Sequence, residues 1–130
     1  MKKNNDKKIS DKILIVEDDK DFLDILKIKF ESEGFSVVTA ESGLEGINVC
    51  EQQKPILILS DVLMPETSGI EMAKKIRSTN KDVIIMFMTN LKDIDYVKEI
   101  KDCKEFDCII KSDTRIGEIV EKVKSKLKKG

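Results

Sequence analysis

Residues 12–19 read KILIVEDD and residues 56–61 read ILILSD. In each, a short run of branched aliphatic residues ends abruptly on carboxylates. A run that is apolar throughout, rather than alternating, suits a strand covered on both faces, as in a parallel sheet. Working outward, three more strand-length runs appear at residues 35–40 (FSVVTA), 83–89 (VIIMFMT) and 106–110 (FDCII). Helix-length segments separate them. Residues 19–33 carry Phe22, Ile25, Leu26 and Phe30 on the side expected to face inward, and Gly34 follows as a stop. Ser42 is an expected N-cap, with Leu44, Ile47 and Cys50 inward and Pro55 before the next strand. Residues 69–79 place Ile70, Ala73 and Ile76 at helical spacing, and residues 92–101 do the same with Ile94, Val97 and Ile100. In residues 114–128, Ile116, Ile119, Val120, Val123 and Leu127 form one stripe. Five strand–helix units in this order predict an α/β fold with a parallel sheet and helices on both faces.

Composition narrows the function classes. The chain has 130 residues, 40% hydrophobic and 38% charged, enough for one self-sufficient domain with a densely ionic surface. Lys+Arg is 24 against 25 Asp+Glu, a net charge of −1, which argues against a whole-domain nucleic-acid binder. The absence of histidine excludes Ser-His-Asp and Cys-His nucleophiles and the common zinc sites. Cys50, Cys103 and Cys108 lack CxxC spacing, which suits reduced thiols in a cytoplasmic protein with the cysteines as packing residues. No apolar run nears the about 18 residues that span a bilayer, and no signal-peptide core follows the basic start MKKNNDKKIS. The first ten residues are expected to form a flexible basic tail, with the folded domain over residues 11–130. The lysine-rich end, KVKSKLKKG, reads as the solvated side of an amphipathic helix.

In open parallel sheets, ligands bind beyond the carboxyl ends of the strands. Those ends carry Glu17-Asp18-Asp19, Asp61, Thr89-Asn90 and Lys111-Ser112. Three carboxylates at Glu17, Asp18 and Asp61 would repel one another, and a divalent cation resolves the conflict. An all-oxygen set with room for water suits Mg²⁺. Lys111 supplies a phosphate-pairing ammonium, Thr89 a hydroxyl, and a carboxylate can accept a phosphoryl group as nucleophile. Taken alone, the Glu-Asp-Asp run is explained by helix capping and dipole complementarity, and Asp19 and Asp21 are assigned to that role.

The segments KILIVEDD, SDVLMPETSGIE, FMTN and CIIKSD together resemble the receiver domain of bacterial two-component response regulators, over residues 12–128. The acidic pair, the Asp-x-x-Met-Pro-x-x-x-Gly run from Asp61 to Gly69, the threonine and the lysine stand in the family's order and spacing. The resemblance implies a flavodoxin-like (βα)5 doubly wound sandwich with strand order 2-1-3-4-5. It implies Asp61 as acceptor of a phosphoryl group from a phosphohistidine on a sensor histidine kinase or histidine phosphotransfer protein. Asp18, Asp61 and the Leu63 backbone carbonyl would bind Mg²⁺ directly, with Glu17 holding it through water. Thr89 would bond a phosphoryl oxygen, and Lys111 would pair with Asp61 or its phosphate.

Three departures from the family pattern carry expectations. Cys108 stands where an aromatic residue usually lies, so coupling to output is expected to be altered, and Phe106 lies two residues earlier on the same strand side. Ser112 follows the lysine where proline is usual. A cis bond there would cost roughly 2.5–4 kcal/mol, so trans is expected. Asn90 replaces a small residue, and Leu63 and Leu91 are unable to orient water, so slow self-dephosphorylation is expected. The resulting reading is a stand-alone phosphorylation switch rather than an enzyme, cytoplasmic, off the membrane and free of direct nucleic-acid contact. Its signal would leave through a downstream protein target at the face of the fourth helical segment, last strand and last helix, where a homodimer is also compatible. The alternative is a degenerate receiver acting as a phosphorylation-independent binding module. A phosphohydrolase of the haloacid-dehalogenase type is disfavoured, because Leu63 stands where its second aspartate belongs.

Overall fold

The computed structural model describes residues 12–64, 66–90, 107–111 and 114–129. Five strands form one parallel sheet in the order β2-β1-β3-β4-β5: β1 (Lys12–Val16), β2 (Ser36–Ala40), β3 (Leu57–Asp61), β4 (Ile84–Thr89) and β5 (Asp107–Ile110). The described helices are α1 (Lys20–Ser32), α2 (Gly43–Gln53), α3 (Gly69–Thr79) and α4 (Ile116–Lys129). The fold class and strand order are those implied by the resemblance. The expected helix at residues 92–101, the residue-1–10 tail, Cys103, Phe106, Leu91 and Ser112 lie outside the described residues.

Both sheet faces are covered, which is why β1, β3 and β4 read as unbroken apolar runs. On one face Leu14, Val16, Ile58, Ile85 and Phe87 pack with Ile70, Met72, Ala73 and Ile76 of α3 and with Cys50 of α2. On the other, Ile13, Ile15, Leu57, Leu59 and Met88 pack with Leu23, Leu26 and Phe30 of α1 and with Ile119, Val120 and Val123 of α4. Each fully buried aliphatic side chain contributes roughly 1.5–3 kcal/mol from area alone. Two expectations for helix faces are corrected. Ile25 is 51% exposed, because the inward stripe of α1 runs through Leu23, Leu26 and Phe30. Leu44 is 52% exposed, because α2 turns Gly43, Gly46 and Cys50 inward. Those glycines allow close approach: a Cβ on Gly43 would sit 2.7 Å from the Thr67 carbonyl oxygen, and one on Gly46 2.7 Å from the Met72 sulfur.

The caps are local and legible. Asp19 accepts from the Asp21 and Phe22 N–H groups at the start of α1. Gly34 ends that helix at φ 99°, a conformation favouring glycine. Ser42 caps α2, and Ser68 with Glu71 forms a reciprocal capping box on α3. Register then sets the site. Val16 pairs with Ser60, Asp61 with Met88, and Thr89 with Ile110. Glu17, Asp61, Thr89 and Lys111 therefore end neighbouring strands at one edge.

Candidate functional site

Glu17 follows β1 directly and is 1% exposed, and Asp61 closes β3 at 8% exposed. Asp18 is exposed at the rim. Glu17, Asp18 and Asp61 each offer a carboxylate oxygen, all within 4.8 Å of one another. From the far side, Lys111 enters at the end of β5. Its Nζ donates to Glu17 Oε1 at 3.0 Å and to Asp61 Oδ2 at 3.1 Å. The second Glu17 oxygen accepts the Asp19 N–H at 3.0 Å. Sequence reasoning brought these four side chains together, and the structure does so too.

Among the described residues the electrostatics are unbalanced, with three acids facing one ammonium. Burial, reinforced by the Asp61 charge, pushes the Glu17 carboxyl up to about 7, against the opposing pull of the Asp19 N–H and Lys111. Burial also raises Asp61, and Asp18 adds to the rise, while Lys111 works against it. Burial disfavours the Lys111 ammonium, but Asp61 and Glu17 outweigh it and hold Lys111 above its ordinary value. Unrelieved negative charge on hard oxygen donors, one of them at the solvent edge, is the chemistry of an Mg²⁺ or Ca²⁺ site. The residues present fit such an ion.

Thr89 is buried at the end of β4, one residue past the partner of Asp61, and its hydroxyl donates to the Asn90 carbonyl at 3.3 Å. Leu63 lies in the loop after β3 with its side chain partly exposed. Asp19 and Asp21 hold the helix-start positions assigned to them. Gly69, the last residue of the Asp61–Gly69 run, shapes the loop after β3: a Cβ there would overlap the Asp61 carbonyl oxygen, and its N–H donates to Val62 O at 2.8 Å. One contributor was not singled out as a site residue by sequence reasoning: Phe22, whose ring lies under the Lys111 ammonium at 4.9 Å. The sequence placed Phe22 only on an inward helix side.

Comparison with known proteins agrees with this geometry. The family model for the response regulator receiver domain matches residues 13–124. Among curated proteins, the chain is 36% identical over 87 residues to the alkaline phosphatase synthesis transcriptional regulatory protein PhoP of Bacillus subtilis, covering 67% of this chain and 36% of that protein. It is 38% identical over 77 residues to the transcriptional regulatory protein GlrR of Escherichia coli, covering 59% of this chain and 17% of that one. The chain thus spans between 17% and 37% of the length of these curated relatives. Among solved structures, a CheY-like receiver domain protein from Methanospirillum hungatei superposes with a TM-score of 0.83 at 27% identity, covering 91% of this chain and 94% of the other. The response regulator TrrA of Thermotoga maritima, solved with Mg²⁺ and BeF, gives 0.77 at 31% identity, covering 88% and 96%. No helix among the described residues is long and apolar enough to cross a membrane. Fold, strand-end residues and relatives converge, and the chain belongs to the response regulator receiver domain family.

Proposed function

We propose that this receiver accepts a phosphoryl group on Asp61 from a phosphohistidine donor, with Mg²⁺ bound at Asp18, Asp61 and the Leu63 backbone carbonyl and Glu17 acting through water. The observation that carries the reading is the shared Lys111 ammonium, which joins Glu17 and Asp61 across the site at 3.0 and 3.1 Å. An Asp61 carboxylate oxygen attacks phosphorus, the phosphorus–nitrogen bond of the donor breaks, and the imidazole leaves with a proton. The product is an aspartyl phosphate. Bound Mg²⁺ supplies charge neutralisation at the transferring group. Lys111 pairs with the added negative charge, and the Thr89 hydroxyl turns from the Asn90 carbonyl toward a phosphoryl oxygen. Leu63 offers no group to orient water, so the aspartyl phosphate is long-lived.

The switch acts through protein contacts: a histidine kinase or phosphotransfer protein as donor, and a downstream protein as target. A homodimer through the last helical face is compatible. A cytoplasmic setting fits the free thiol of Cys50. Cys108 is half-buried opposite Phe87, so β5 presents no ring there, which supports altered output coupling. Incubation with a small acyl phosphate and Mg²⁺, followed by intact-mass spectrometry, tests the proposal. One added phosphoryl group is expected on wild type and none on Asp61→Asn or after chelation. Absence of the adduct with both the acyl phosphate and a cognate kinase overturns it in favour of a phosphorylation-independent binding module.

A further inference from the structure

We propose that Phe22 is a positioning residue for Lys111: its ring face holds the ammonium in line with the Asp61 carboxylate. This inference rests on the reading of Asp61 as phosphoryl acceptor. An ammonium has three N–H donors. Two of those on Lys111 go to Glu17 Oε1 and Asp61 Oδ2. The Phe22 ring lies 4.9 Å from the nitrogen, within the range where an ammonium is attracted to the negative face of an arene. Only 14% of the Lys111 side chain is exposed, so this attraction is weakly screened.

The ring is itself held from the site. The Phe22 N–H donates to Asp19 Oδ1 at 3.3 Å, and the Asp19 N–H donates to Glu17 Oε2 at 3.0 Å. Lys111 then returns to the other Glu17 oxygen, closing a loop from Glu17 through Asp19, Phe22 and Lys111. Phe22 also packs against the core layer of α1 and α4. What the ring adds to two carboxylates is independence from their charge. A metal or a phosphoryl group redistributes the negative charge on Glu17 and Asp61, and a carboxylate's hold on Lys111 changes with it. An uncharged ring holds the ammonium equally before and after transfer, and takes none of its N–H bonds.

The test uses the full chain with an acyl phosphate and saturating Mg²⁺. Phe22→Leu keeps the apolar packing and removes the ring face. It is expected to lower the maximal phosphorylation rate by about two- to thirtyfold, the range of such a contact, with little change in the donor concentration at half-maximal rate. Phe22→Tyr, which keeps the ring, recovers most of that loss. In a Lys111→Met background, Phe22→Leu adds no further slowing. A merely structural role would slow both backgrounds alike, and that result overturns the proposal, as does an unchanged rate in Phe22→Leu alone. In the unphosphorylated protein, the Lys111 methylene protons beside the nitrogen are expected to show a ring-current shift that Phe22→Leu abolishes. No change in that shift overturns the placement. Failure of the wild type to take up phosphoryl defeats the proposed function instead, and the ring-current shift still decides whether Phe22 holds the ammonium.

Discussion

Replacing Glu17 by glutamine is expected to stabilise the metal-free protein, although Glu17 is among the most deeply buried and best-bonded residues of the site. The reason is the direction of its titration. Burial and the Asp61 charge raise its carboxyl from 4.5 to about 7. The folded state therefore binds a proton that the unfolded chain has released. That extra stability is complete below pH 4.5, and it is lost as pH rises through about 7. A difference of some two and a half units corresponds to about 3 kcal/mol against the ionised form above that pH. Glutamine keeps the size and an acceptor oxygen for the Asp19 N–H, gives up the bond accepted from Lys111 Nζ, and does not ionise, so the gain is an upper bound. In chelator at pH 8, Glu17→Gln should exceed wild type by up to about 3 kcal/mol, on the order of 10 °C in Tm for a domain of this size. At pH 5 the two should be close. Excess Mg²⁺ should close or reverse the gap at pH 8 by stabilising the wild type through binding. Urea unfolding with chelator and with Mg²⁺ at both pH values measures all of this. A variant less stable than wild type in chelator at pH 8, or a gap that ignores pH, would refute the reasoning.

The same titration predicts that Mg²⁺ affinity rises from pH 6 to pH 8, by about tenfold, because Glu17 must release its proton first; calorimetry at both pH values checks it. Lys111→Met removes the ammonium bonded to both buried carboxylates and should destabilise the metal-free protein by about 3 kcal/mol. It should also bind Mg²⁺ more tightly, because the cation no longer competes with an ammonium; urea unfolding and Mg²⁺ titration report the two effects. Gly69→Ala places a methyl group on the Asp61 carbonyl oxygen. A loss of about 1–3 kcal/mol and slowed phosphorylation are expected, read by thermal unfolding and intact mass. Asp19→Ala removes the cap of α1 and should cost about 1 kcal/mol, with unfolding as the assay.

Much of the fold and most of the site were legible in the sequence for one physical reason. A strand buried on both faces is a continuous apolar run, so where it stops is visible, and the residues at the stop are those a parallel sheet gathers at one edge. Glu17, Asp61, Thr89 and Lys111 were found that way. Helix faces were harder to read. Ile25 and Leu44 were expected to turn inward because apolar spacing was taken at face value. In α2 the close approach to Thr67 and Met72 uses glycines, which carry no hydrophobic signal. The Phe22 contact was invisible for a different reason: a cation over a ring depends on two elements meeting in space, and no spacing in the chain encodes it. Burial of Glu17 beneath its neighbours follows from the β1–β3 register rather than from the EDD run itself.

The central claim is that Asp61, and none of the acids beside it, takes the phosphoryl group. Borohydride reduction of the phosphorylated protein, followed by peptide mapping, tests this most directly, because it converts an acyl phosphate into a stable alcohol at the modified residue. The account predicts conversion at Asp61 alone, dependent on Mg²⁺. Conversion at Asp18 or Glu17, or phosphate recovered only on a serine or threonine hydroxyl, would contradict it.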